Sequence, residues 1–151
     1  MAVSSDIFLI RNFLPSDLVD VSILANSSLT EYYSESLLYE LYEQWPEAFF
    51  VCHEGNRILG FLCGSKYSRT EARVLLIAIR NDFRRSGLGE ELMARFEDLA
   101  KKSGFVALRL EVKKENEGAM KFYRHLGFSV TATLPSYYSD FSDAFVMWKL
   151  L

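Results

Sequence analysis

The sequence predicts an α/β (α+β) fold on three observations. Apolar residues recur at two spacings, alternating in some stretches and three to four apart in others, in the order β-αα-βββ-α-β-α-ββ. Gly55-Asn56 separates two β-type runs, a hairpin signal. The run "VLLIAI" leads through "RRSGLG" to a helical stretch and then to "VALRLEV", a strand, glycine turn, helix and strand that imply a right-handed crossover between parallel strands. The chain of 151 residues has the size of one domain, and no stretch reads as a linker, a repeat or low complexity. Residues 1–151 are therefore expected to form a single domain.

"DIFLIRNF" alternates as a first strand and ends near Pro15. "SDLVDVSILANSS" is a helix with Ser16 as N-cap and Leu18, Val21 and Leu24 on one face. "SESLLYELYEQW" is a second helix, with Leu37, Leu41 and Trp45 in one row, Leu38 and Tyr42 beside it, and Pro46 as its stop. "EAFFVCHE" and "RILGFLCGS" are the hairpin strands. "EARVLLIAI" is apolar on both faces through its second half, as a central strand is. Leu88, Leu92, Phe96 and Leu99 mark a third helix that Gly104 ends. "FVALRLEV" follows as a strand. Asn116 caps a fourth helix carrying Ala119, Tyr123 and Leu126 on one side with Phe122 adjacent, and Gly127 closes it. "FSVTATL" and "DAFVMWKLL" are the last strands, joined across "PSYYSDFS".

Half of the residues are apolar, a quarter are charged, and the formal net charge is −3. That balance argues against a nucleic-acid partner, which calls for a basic face. No apolar run approaches a membrane span, and "MAVSSDIFLI" lacks the basic and long apolar regions of a secretory signal, so a cytoplasmic protein is expected. Cys52 and Cys63 have neither CxxC spacing nor companion clusters and read as reduced strand cysteines, with no metal site. His53 and His125 read as solvated surface.

The hexapeptide "RRSGLG" is the chemically informative stretch. Helix-initial N–H groups lack intrahelical partners, and the helix dipole adds positive charge there. Gly87 and Gly89 would let those donors converge on one ligand, while Arg84 and Arg85 supply forked donors suited to a diphosphate. The same six residues would also serve as a plain glycine turn with two arginines in water. Neither the P-loop nor GxGxxG is satisfied.

"AIRNDFRRSGLG", "LRLEV" and "NEGAMKFYRHLGF", in that order, resemble the GCN5-related N-acetyltransferase family and its R/Q-x-x-G-x-G/A signature. The resemblance implies that family's fold, a mixed central sheet of about seven strands with four helices. It implies acetyl-CoA as co-substrate, its diphosphate on the turn Arg84, Arg85, Ser86, Gly87, Leu88 and Gly89, and the thioester beside backbone donors of Ile77, Ala78 and Ile79. Asn116 and Tyr123 would also contact the cofactor. "LEVKKENEGAMKFYRHLGF" with "YYSDFSDAFVMWKL", and upstream "LTEYYSESLLYELYEQWP", resemble the ribosomal-protein and Ard1-type enzymes that acetylate protein N-termini. One departure stands out: Phe141 occupies a position that is usually glycine in that group, and Ser142 one that is usually acidic.

By the same resemblance Glu111 removes the amine proton through water, with Glu31 as a second candidate base, and Tyr123 donates to the leaving thiolate. Leu29, Glu31, Tyr33, Tyr137 and Tyr138 would line the mouth for a peptide's first residues. Lys113 and Lys114 read as a solvated pair, with the CoA 3′-phosphate or an acidic peptide as the alternative. Glu111 as a strand-end carboxylate in solvent, Tyr123 as a packing ring and the tyrosine pair as half-solvated strand residues stay open from the residues themselves. An α-amine of pKa about 7.7–8 is neutral roughly a tenth of the time at pH 7, against under a thousandth for lysine near 10.4, which suits a carboxylate acting through water on α-amines. The expected function is therefore acetyl transfer to a protein or peptide N-terminus. A small amine or a lysine side chain as acceptor, or a CoA-binding module without turnover, are the rivals. Ribosome association and a monomeric state are both left open.

Overall fold

The computed structural model describes residues 8–84 and 86–151. Seven strands form one mixed sheet: β1 (Leu9–Asn12), β2 (Phe49–Glu54), β3 (Arg57–Lys66), β4 (Glu71–Ile79), β5 (Ala107–Lys113), β6 (Ser129–Leu134) and β7 (Ala144–Leu150). Their spatial order is β1-β2-β3-β4-β5-β7-β6. Every adjacent pair is antiparallel except β4 and β5. Four helices cover the sheet: α1 (Leu18–Ser28), α2 (Glu35–Gln44), α3 (Leu88–Lys102) and α4 (Glu117–His125). This is the element order that the hydrophobic periodicities predict.

The core divides into two layers. Leu88, Leu92, Met93, Phe96 and Ala100 of α3 and Met120 and Tyr123 of α4 bury one face of the sheet. Val21, Leu24 and Ala25 of α1 and Leu38 of α2 bury the other. Two local expectations are corrected. Leu37 is exposed while Leu38 is fully buried, so α2 is turned by about one residue from the predicted row. Ser16 does not cap α1. It lies in a 3-10 turn (Pro15–Asp17), and Asp17 is the N-cap residue. The Asp17 carboxylate accepts from Leu14 N–H at 2.8 Å and from Arg11 at 2.7 and 2.9 Å. Burial pushes Asp17 upward, but the Arg11 hydrogen bond, the Leu14 N–H and the Arg11 charge together hold it below its ordinary carboxyl value.

One irregularity positions everything that follows. Cys63 pairs with Leu76 and Gly64 with Val74, so Leu75 is an extra residue in β4. A bulge bends its strand and shifts the facing of the residues after it. Ala72 and Val74 accordingly face the α3 side, whereas Leu76 and Ala78 face the α1 side. The parallel pairing of β4 with β5 covers only Glu71 with Ala107, Ala72 with Leu108 and Arg73 with Arg109, and stops just before the bulge. Beyond it the two strands part.

Candidate active site

The parting strands open a cleft of about 1030 Å³. The second half of β4, the end of β5, the α3 turn, α4, the segment before α2 and Tyr138 line it. Cofactor-type and substrate-type candidates from the sequence thereby meet at one cavity, except that Ser86, Leu88 and Tyr137 do not line it.

At the α3 end, main-chain groups dominate. Arg80 N–H donates to Leu59 C=O at 2.8 Å. In an antiparallel ladder bonded pairs alternate with unbonded ones, so Ala78 turns its N–H toward β3 while Ile77 and Ile79 turn theirs toward the gap left by β5. The Ile79 carbonyl on that side accepts from Arg84 Nε at 3.2 Å. Gly87 is the N-cap of α3 at φ 88°, a left-handed conformation that favours glycine, and a Cβ placed there would meet nothing within 4 Å. Open space therefore lies against the start of a 15-residue helix, and Glu91 N–H is already bonded to Gly87 C=O at 3.1 Å. Gly89 lies against the Phe122 ring, which a Cβ would approach to 3.1 Å. Ser86 is exposed, its hydroxyl bonded to Phe83 C=O, and Leu88 is buried in the core. Arg85 lies outside the described residues. The donors, the exposed Arg84 and the clear approach fit a diphosphate.

Asn116 caps α4, its side-chain oxygen accepting from Ala119 N–H at 3.1 Å. Tyr123, two turns on from the cap, is buried but borders the cleft, and burial pushes its phenol up to about 12. The cleft also touches His125, an exposed side chain 3.7 Å from Glu90.

At the other end, side chains dominate and each is held by another. Glu111 lines the cleft with its side chain 6% exposed. Its Oε1 accepts from Arg73 Nε at 2.9 Å and lies 2.7 Å from Arg73 Nη2, and its Oε2 accepts from Arg109 Nε at 2.9 Å. The Arg109 guanidinium lies 4.2 Å from the Tyr67 ring centre. Arg73 Nη2 also donates to the Tyr137 hydroxyl at 2.9 Å. Glu31 Oε1 accepts from Ser139 N–H at 2.6 Å, tying the segment before α2 to the β6–β7 loop. Asn26 fixes that segment from behind, accepting from Tyr33 N–H at 2.7 Å and donating to Tyr33 C=O at 2.8 Å. Burial first, and then the Glu31 charge, raise the Tyr33 phenol; burial raises Tyr138 as well.

The loop itself is tight. Tyr137 and Tyr138 meet edge to face at 5.0 Å, Phe141 N–H donates to Tyr138 C=O at 2.9 Å, and Tyr138 N–H donates to Ser142 C=O at 3.2 Å. Phe141 adopts φ 67° and is 80% exposed, at the position where glycine is usual in the group this chain resembles. Lys113 pairs with Asp140 at 2.7 Å, and Lys114 lies 5.9 Å from the Phe145 ring centre. Leu29 borders the cleft.

Arg73, Arg109 and Asn26 are absent from the sequence-based candidates. Arg73 carries a usable signal: it is a charge inside the apolar run "EARVLLIAI", as Glu111 is inside "FVALRLEV". Among the described residues no group of three or more His, Cys, Asp or Glu could hold a metal ion, and no helix is long and apolar enough to cross a membrane.

Residues 18–128 match the Acetyltransferase (GNAT) family. N-alpha-acetyltransferase 30 of Schizosaccharomyces pombe is 33% identical over 132 residues, covering 85% of this chain and 88% of its own length. Among solved structures, Ard1 from Thermoplasma volcanium superposes with a TM-score of 0.93 at 46% identity, covering 96% of this chain and 98% of that one. Naa20 of Chaetomium thermophilum, in complex with a bisubstrate analogue, superposes with a TM-score of 0.88 at 25% identity, covering 95% of this chain and 86% of that one.

Proposed function

The chain belongs to the Acetyltransferase (GNAT) family and is an acyltransferase, and we propose that it transfers the acetyl group of acetyl-CoA directly to the N-terminal α-amine of a protein or peptide. The observation that carries this reading is the single cleft joining the α3 turn at one end to Glu31, Tyr33 and Tyr138 at the other, with Glu111 and Tyr123 on its walls. The names of the similar proteins, an N-alpha-acetyltransferase and Ard1, support the α-amine as acceptor. The reading takes residues 1–151 as one N-acetyltransferase domain.

Acetyl-CoA supplies an activated thioester carbonyl. The N–H groups of Ile77 and Ile79 face the gap and would polarise that carbonyl, fixed main-chain donors in a site partly shielded from water. Leu88, Gly89 and Glu90, at the start of α3, would offer their N–H groups to the diphosphate, with Arg84 beside them. Tyr123, raised to about 12, keeps its proton near neutrality and would give a hydrogen bond to the leaving sulfur. Complete transfer to a thiolate whose conjugate acid has pKa about 8.5 is then less favourable than from a free phenol, so charge stabilisation is its main role.

The amine proton would leave through a water on Glu111 Oε2, which has one acceptor direction left after Arg109. Glu31, already engaged by Ser139 N–H, is placed to orient the incoming amine. Direct transfer is supported by the cysteines: both are buried, and burial pushes Cys52 up to about 11 and Cys63 to about 12, away from thiolate nucleophiles.

The test is incubation with acetyl-CoA and two peptide sets, one with free N-termini and one N-blocked with an internal lysine, reading released CoA and the acetylated position together. Acetylation confined to free N-termini is the expected result. Transfer to lysine, or transfer to neither peptide set while a panel of small amines added in parallel is acetylated, would overturn the acceptor while keeping the family.

A further inference from the structure

Glu111 and Tyr137 lie 26 residues apart in the chain and on different elements, yet one guanidinium holds both. Arg73 gives Nε and Nη2 to Glu111 Oε1, and the same Nη2 to the Tyr137 hydroxyl. Arg73 is itself the last residue of β4 paired with β5, at the vertex of the fork. Its side chain is 22% exposed; the Glu111 contact is partly buried, whereas the Tyr137 contact lies at the surface, where the loop meets solvent. The neighbouring Arg109 takes the other oxygen of Glu111 and packs on Tyr67, so it holds the carboxylate through a separate contact.

We propose that Arg73 is a positioning residue that couples the β6–β7 loop to the Glu111 carboxylate, so that a peptide seated against the loop also sets the group that receives its proton. The proposal rests on the reading of the loop as the peptide-gripping element. An arginine is suited to this because its planar fork reaches two acceptors at once, which an ammonium on a flexible stem does not reproduce. The coupling is directional within the cleft. Among the described residues Arg73 makes no hydrogen bond to the α3 turn or to the Ile77–Ile79 stretch, so cofactor binding lies outside the coupling.

A double-mutant cycle tests this with Arg73→Met, Tyr137→Phe and the pair, measuring kcat and KM for a free-amine peptide and the Kd for acetyl-CoA by calorimetry. Tyr137→Phe is expected to raise the peptide KM about tenfold, the order of one hydrogen bond to a charged group, with the acetyl-CoA Kd unchanged. Arg73→Met is expected to raise KM and lower kcat together. In the Arg73→Met background, Tyr137→Phe should have no further effect on KM. Should Arg73→Met not fold, Arg73→Lys replaces it, and the Tyr137→Phe effect should shrink there too. An equal Tyr137→Phe effect in both backgrounds overturns the coupling. A wild-type protein that acetylates no peptide overturns the gripping loop as well, which separates the two failures.

Discussion

At the α3 end of the cleft the groups facing the cavity are main-chain donors, placed by a helix start and by a strand that has lost its neighbour. At the opposite end they are side chains, each held by a partner far away in the chain: Arg73 with Glu111, Arg73 with Tyr137, Glu31 with Ser139. The first kind of site is made by a few consecutive residues and tolerates most side-chain changes outside its glycines. The second needs several segments at once and can be altered one contact at a time. On the proposed reading this divides the labour: the constant co-substrate would meet backbone, and the variable acceptor would meet side chains.

Substitutions that act at one end only can break that division. Tyr123 stands between the ends, and Tyr123→Phe is expected to lower kcat about 100-fold with the acetyl-CoA Kd held, as for loss of one preorganised donor, by steady-state CoA release. Because its phenol sits at about 12, the wild-type rate should persist as pH rises past 10, where an unshifted phenol would be half ionised, and fall on approach to 12. A pH profile turning down near 10 would mean that burial does not raise the phenol, or that another group titrates; a Tyr123→Phe profile separates the two.

Gly87→Val puts a β-branched side chain at φ 88° and into the open approach to α3. The acetyl-CoA Kd should rise about tenfold or more, with the peptide KM unmoved, and calorimetry checks the first. Glu31→Ala releases Ser139 N–H. It should give the converse, a peptide KM raised about fivefold at unchanged acetyl-CoA Kd, the worth of one hydrogen bond. If either variant moved both constants, the two ends would not be independent. The smallest effect is expected of Phe141→Gly. It relieves a left-handed conformation costing about 1–2 kcal/mol, offset in part by the greater freedom of glycine in the unfolded chain. The melting temperature should rise by about 2 °C in calorimetric scans.

The same contrast explains what could be read from the amino acids alone. The α3 turn is six adjacent residues that read as a glycine turn before a helix, and Asn116 reads as a cap; the family resemblance, carried by short contiguous motifs, is what nominated the turn, Asn116 and Tyr123 as site residues. The partners of Glu111 were not legible, because Arg73 is 38 positions away and only the register of β4 on β5 brings the two together. Where the reading slipped locally, a competing neighbour decided. Ser16 looks like a cap by type, but Asp17 has the carboxylate that reaches both Leu14 N–H and Arg11. Leu37 and Leu38 are equally apolar, and only the packing of α2 on Phe49 and Phe61 selects the second. The bulge at Leu75 has no signature in "VLLIAI", a run apolar at every position that allows either facing.

That single surplus residue carries an engineering consequence. Deleting Leu75 would restore strict alternation along β4, with Leu76 and Ala78 still toward α1 and Ile77 and Ile79 still toward α3, while removing the one residue that bends the strand and leaving its hydrophobicity intact. The shortened strand could then run straight beside β5 and zip closed. The product would be a well-formed sandwich with no interior left to work in, so the capacity for chemistry in this chain hangs on a one-codon length difference in a strand whose composition would scarcely register it.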